Sequence, residues 1–202
     1  MGPRTALTGK DILLLLLYAP NTDGEPCGIM GRTRLTKMVF LFEKEVYEDF
    51  KFDREIARDK LPAFYPWNYG PFSRDVYADI DFFVHIQFVR TRQCSDEQPL
   101  REEAEEYQLW ETDLDDPSST TSVTEYAQEL IDLTVLGRQY VEDREVWSRL
   151  SSNQQAALIE FKRRFSEAPL FAILRYVYDR YPDMTSKSVI REQVVGQGRC
   201  HP

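Results

Sequence analysis

One stretch near the start of the chain has almost no polar side: in TGKDILLLLLYAP every position from Ile12 to Leu17 is aliphatic. Thr8 can cap a helix there by accepting from an amide two or three residues on, and Pro20 stops it, so a helix is predicted from Thr8 to Ala19. A helix that is apolar all round belongs in the middle of a fold. The aliphatic run is far shorter than the roughly 20 residues that span a bilayer. Lys10 and Asp11 abut it and no small-residue cleavage site follows, so a buried helix is expected in place of an anchor or a signal peptide.

Residues 20–31, PNTDGEPCGIMG, are turn formers and predict a loop. In GRTRLTKMVFLFEKEVYEDF, Leu35, Met38, Val39, Phe42 and Val46 fall at three- and four-residue steps, one helical face that Phe40, Leu41 and Tyr47 widen. AFYPWNYGPF reads as an aromatic, irregular segment. Ser73 then caps a third helix, in which Val76, Tyr77, Ile80, Phe83 and Val84 recur at helical spacing. IQFVRTR, Ile86 to Arg92, alternates as a strand does, and YQLWETD predicts a second strand before the polar loop LDDPSSTTS. EYAQELIDL, Glu125 to Leu133, fits a returning strand or a helix, and TVLGRQYVED resumes helical patterning after Thr134. The remainder predicts helices: Ser152 with Gln155 as a capping box, Pro169 in the first turn of PLFAILRYVYDRY, Pro182 ending it, and Thr185 capping TSKSVIREQV.

This element order predicts a mainly α fold with a small antiparallel β wing. Residues 1–150 form a winged-helix-like domain with an acidic insertion at about 93–122. Residues 151–202 form a C-terminal helical extension, either packed on that core or standing as a small subdomain.

Charge sharpens the picture. The 202 residues carry a net charge of −9. Residues 1–92 balance 13 Lys+Arg against 13 Asp+Glu and residues 151–202 hold 8 against 5, whereas residues 93–150 hold 4 against 16. All the acidity thus sits in the middle, which disfavours general affinity for phosphate backbones; the block reads first as a solvated acidic face, and second as a mimic of a phosphate backbone or a contact for a basic partner. Cys27, Cys94 and Cys200 are odd in number and widely spaced, fitting neither a disulfide framework nor a metal site and pointing to the cytosol.

Candidate chemistry is sparse. His85 lies among apolar residues and reads as structural; Cys200 and His201 offer two ligands, too few for a metal site. GIMGRT lacks the lysine–hydroxyl pair of a P-loop, no dinucleotide-binding glycine pattern occurs, and the acid-rich REEAEEYQLWETDLDD lacks the glycine and ligand spacing of a calcium loop. No catalytic residue, metal or cofactor is expected. Arg32, Arg34 and Lys37 cluster where a helix begins and its amides are unpaired, a candidate anion- or nucleic-acid-binding corner. Trp67, Tyr69, Gly70, Pro71, Phe72, Ser73 and Arg74 form a candidate partner-binding corner, aromatic residues being strong interface anchors. As a DNA reader the third helix is poorly equipped: Asn68, Ser73, Arg74 and Arg90 face the repulsion of Asp75, Asp79 and Asp81.

Three segments, RTRLTKMVFLFEKE, WNYGPFSRDVYADIDFF and LTVLGRQYV, resemble the Panacea domain, which includes SocA-like antitoxins, and the related YwgA-like proteins. RYVYDRYPDMTSKSVI is similar to the YwgA side of the group. The matching motif positions are Arg34, Lys37, Tyr69, Gly70, Pro71 and Ser73, and the acidic block at 93–122 falls outside the resemblance. What the resemblance implies is a helical, winged-helix-like domain without catalytic residues that binds proteins, as antitoxins do when they neutralise or deliver a toxin in phage defence. The first expectation is therefore a cytosolic, non-enzymatic, antitoxin-like interaction module with a protein partner and no membrane. A winged-helix transcription regulator is the competing expectation, and an enzyme of unrecognised type the third.

Overall fold

The aliphatic run forms a helix and sits where its lack of a polar side requires. Helix α1 (Gly9–Tyr18) opens at Thr8, whose amide donates to the Asp11 carboxylate at 2.7 Å. Ile12 to Leu17 are all buried. The computed structural model describes residues 6–20, 27–93, 129–188 and 190–196. Among them no helix is long and apolar enough to cross a membrane. The strand expected at YQLWETD, the loop LDDPSSTTS, the acidic block, Cys94, Cys200 and His201 lie outside the described residues.

A short strand, β1 (Ile29–Met30), follows α1 and leads into α2 (Arg32–Leu41), whose last turn widens into one π turn at Phe42–Val46. Leu35, Met38, Val39, Phe42 and Val46 are buried as their spacing predicts, with Phe40, Leu41 and Tyr47. The segment expected to be irregular is instead a hairpin of β2 (Tyr65–Trp67) and β3 (Gly70–Phe72) around Asn68 and Tyr69. Pro66 stands opposite Pro71 in its register. Two residues with no N–H can face each other only at a pair that exchanges no ladder hydrogen bonds, so prolines that disguise the strands also fit this position.

Ser73 caps α3 (Arg74–His85) as expected, its hydroxyl accepting from the Val76 amide at 3.4 Å. The wing follows, β4 (Val89–Gln93) pairing antiparallel with β5 (Glu129–Leu133) from Val89 opposite Leu133 to Gln93 opposite Glu129. The expected strand at Ile86 starts three residues late, because Gln87 takes a left-handed φ of 61° that turns the chain out of α3. β5 settles the open alternative for 129–133 in favour of a strand, and β1 adds to its other edge, giving the order β1-β5-β4. Helix, strand, two helices and wing make the winged-helix-like order, with one departure. All of Phe42–Ser73 separates α2 from α3, where a helix-turn-helix has three or four residues.

Four further helices follow among the described residues: α4 (Val135–Asp143), α5 (Ser152–Glu167), α6 (Leu170–Arg180) and, after a 3₁₀ turn at Pro182–Thr185, α7 (Arg191–Gly196). The capping box on α5 is Ser151 with Gln154, one residue before the expected pair; Ser151-Ser152 and Gln154-Gln155 satisfy the pattern equally, and the side chain of Gln154 breaks the tie by donating to the Lys51 carbonyl at 3.2 Å. Pro169 precedes α6 as its cap. Thr185 does not cap a helix; its hydroxyl closes the 3₁₀ turn onto the Pro182 carbonyl.

The C-terminal helices share one buried cluster with the winged part, running from Leu7 through Phe42 and Ile131 to Val194. Two buried cations bind them together. Lys162 on α5, wholly buried, donates to the carbonyls of Leu17, Ala19 and Cys27 at 3.2, 2.6 and 2.7 Å, and so caps the end of α1. Arg34 returns the favour from α2, its guanidinium donating to the Phe165 carbonyl at 2.8 Å and to that of Ala168, at the end of α5. Helix C-termini leave carbonyls unsatisfied, and here lysine and arginine from distant elements supply the donors.

Candidate protein-binding surface

The β2–β3 hairpin presents two unlike sides. On one, Tyr65 pairs directly with Phe72, their ring centres 5.6 Å apart, and Trp67 lies 6.0 Å from Tyr65 and 6.4 Å from Phe72. Tyr77, one turn into α3, continues the row 5.0 Å from Phe72. Trp67 is 41% exposed, and Tyr65, Phe72 and Tyr77 are half-buried. The Tyr77 phenol is tied down by Thr33 and Thr36 of α2, and its pKa is raised, chiefly by burial. Four aromatic rings thus form a continuous face that reaches solvent at Trp67.

The other side is braced. Gly70 has a left-handed φ of 85°, and a Cβ there would stand 3.1 Å from the Tyr178 ring and 3.7 Å from the Thr185 methyl. Glycine is required twice over, by the dihedral and by the close approach of α6. Ser188 donates to the Asn68 carbonyl at 2.9 Å and lies 2.5 Å from the Tyr178 hydroxyl, so the turn is held from the C-terminal segment. From beneath, the Lys37 ammonium donates to the Pro71 carbonyl at 2.8 Å. Burial pushes its pKa down to about 7.

These placements divide the expected partner-binding corner. Gly70, Pro71 and Ser73 are buried and Tyr69 is half-buried against the core, so they build and orient the hairpin. Trp67, Phe72 and Arg74 are the members that reach the surface, while Tyr65 and Tyr77 complete the face although the motif did not single them out. For Tyr65 the signal was present in the chain: residues i and i+2 of a strand share a face, which sets it beside Trp67. It was hidden because Pro66 made the segment look like a loop.

The expected anion-binding corner is turned inward. Arg34 and Lys37 are buried, at 8% and 3% exposure, and donate to backbone carbonyls. Arg32 bridges Asp81 of α3 at 2.5 Å and Glu129 of β5 at 3.2 Å. Although burial opposes its charge, those two carboxylates raise its pKa further. Three cations that look like one corner in the sequence therefore serve three internal joints.

Other surfaces carry less. On the wing, Arg90 and Arg92 share Asp132, at 2.8 and 3.4 Å. Along α3 the exposed residues are Arg74, Asp75, Ala78, Asp81, Phe82 and His85; a recognition helix with two exposed acids meets phosphate repulsion. A groove of about 500 Å³ opens between α1, the end of α3 and α4, floored by Leu7, Phe83, Phe88 and Tyr140. Its rim mixes Lys10, Arg144 and Arg149 with Asp11, Asp143 and Glu145, which selects no charge. Among the described residues no group of three or more His, Cys, Asp or Glu could hold a metal ion.

Comparison of the chain with known protein families, with curated proteins and with solved structures finds no match in any of the three.

Proposed function

We propose that this chain is a non-enzymatic protein-interaction module of the cytosol, antitoxin-like in that it binds and regulates a partner protein. The observation that supports this reading most is Trp67, exposed among three aromatic neighbours on a hairpin braced by Gly70, Asn68 and Pro71. Large aromatic side chains held rigidly bind at low entropic cost, and such residues dominate interface energetics. Gly70, Pro71 and Ser73, the centre of the YGP resemblance, are the residues that hold that face in place. The test is co-purification with the product of a neighbouring gene. Trp67→Ala and Phe72→Ala are each expected to weaken that complex by about 2 kcal/mol or more; a complex unchanged in both removes the hairpin from the interface.

A second reading, a DNA-binding regulator, draws on the winged-helix-like order and on Arg90 and Arg92 at the wing surface. Specific duplex binding with a steep negative salt dependence would establish it in place of the first.

A further inference from the structure

We infer that the groove between α1, the end of α3 and α4 is a self-association face, and that its occupant is a second copy of this chain related by a two-fold axis. The groove measures about 500 Å³ and lies at the opposite end of α3 from the aromatic hairpin. Its floor is apolar, with the ring centres of Phe83 and Phe88 6.3 Å apart and those of Phe88 and Tyr140 4.6 Å apart. On its α3 side Phe82 stands 44% exposed, and Leu136, one turn before Tyr140 on the same face of α4, is 47% exposed. An apolar strip this open, rimmed by charge, marks a contact surface.

What selects the occupant is the state of the six charges on that rim. Four are already engaged. The Lys10 ammonium pairs with Asp79 at 2.8 Å and lies over the Phe82 ring at 4.6 Å. Asp11 accepts from the amide and hydroxyl of Thr8, Arg149 donates to the carbonyls of Arg144 and Glu145, and the Glu145 side chain is not free either. Asp143 and Arg144 remain. Both are exposed, and among the described residues neither side chain has a hydrogen bond or ion pair. One free anion and one free cation thus stand on adjacent residues at the end of α4.

A partner of one sign meets as much repulsion as attraction at such a pair. A second copy does not. In a two-fold contact residue i meets j and j meets i, so Asp143 faces Arg144 of the second copy while Arg144 faces its Asp143. Both free charges are satisfied in one step, and because they are neighbours the axis passes beside the end of α4. Exposed ion pairs add little affinity and mainly fix orientation; the affinity comes from covering Phe82 and the groove floor. The dimer so formed carries two aromatic hairpins, one from each copy.

The test is sedimentation of the full chain over a concentration series, in which the wild type is expected to pass from monomer to dimer. Phe82→Ala should raise the dimer Kd about tenfold or more. Asp143→Arg and Arg144→Asp should each raise it severalfold, by setting like charges face to face. An equimolar mixture of those two variants should return to about the wild-type Kd, because every facing pair in the mixed dimer is again of opposite charge. Damage to the fold by either substitution would not be repaired by the other. Melting curves check that each variant remains folded.

Three results overturn the inference: a chain monomeric at every concentration, a dimer unmoved by Phe82→Ala, or a mixture no tighter than either charge variant alone. A dimer dissolved by Trp67→Ala but not by Phe82→Ala overturns it too, by placing self-association on the hairpin. The protein-binding reading stands or falls separately, on the partner complexes of Trp67→Ala and Phe72→Ala.

Discussion

Gly70 shows how a single position can carry both a fold and a site. Its φ of 85° is costly for any residue with a Cβ, and the Tyr178 ring waits 3.1 Å from where that Cβ would go. Gly70→Ala is expected to lose about 1–3 kcal/mol of stability, read as a lower melting temperature. If Ala is tolerated without loss, the brace from α6 is weaker than the geometry indicates. Much at this scale was legible from the chain: Ser73 as a cap, Thr8 as a helix start, and Val76, Ile80 and Phe83 as a buried stripe. The burial of Arg34, Lys37 and Lys162 was not. A cation in an apolar helix normally reads as surface, and only the tertiary structure shows the carbonyls that accept from it.

Between elements, the joint of α4 with the wing depends on a second glycine. Thr134 caps α4 at the Gly137 amide, 3.0 Å away, and donates to the Gln87 carbonyl at 2.6 Å. A Cβ on Gly137 would come within 2.1 Å of the Phe88 carbonyl oxygen. Helix propensity alone predicts that Gly137→Ala stabilises by about 1 kcal/mol. The packing predicts the opposite sign, a loss of about 3 kcal/mol, at the upper end of overpacking costs. A urea titration decides, since the two differ in direction. The LTVLG segment was legible as a helix start, but the reason for its glycine lies in Phe88, in the turn before β4 and distant in sequence. β1 escaped notice for a related reason: two residues carry no periodicity, and their strand character comes from pairing with Leu130 and Ile131.

Across the whole molecule, buried cations set the response to pH. Burial lowers Lys37 to about 7 and Lys162 to about 8, against 10.5 for a free lysine. A depressed folded pKa means that the unfolded chain binds protons more tightly, so these lysines add stability as pH rises from about 7 towards 10.5. Tyr178 and Tyr181, raised to about 12 chiefly by burial, act in the other direction above their free value of 10.0. Their contribution is full below that value and is lost as pH climbs through about 12. Relative to a Lys37→Met, Lys162→Met variant, the wild-type melting temperature should gain ground between pH 7 and pH 10; equal pH profiles would show that neither ammonium is desolvated in the fold.

The hydrogen bonds of Lys162 to the end of α1 also impose an order on synthesis. They join residues 145, 143 and 135 positions apart, and Arg34 reaches Phe165 across 131. As the chain leaves the ribosome, α1 emerges early, yet the donor for its last carbonyls arrives only with α5. Until then the most apolar helix of the protein has neither its cap nor part of its packing, so the winged region cannot be completed first and extended later. Contacts this distant are made slowly. The nascent chain is therefore expected to stay protease-sensitive, and to need a holdase for Leu13–Leu17, until α5 has been made.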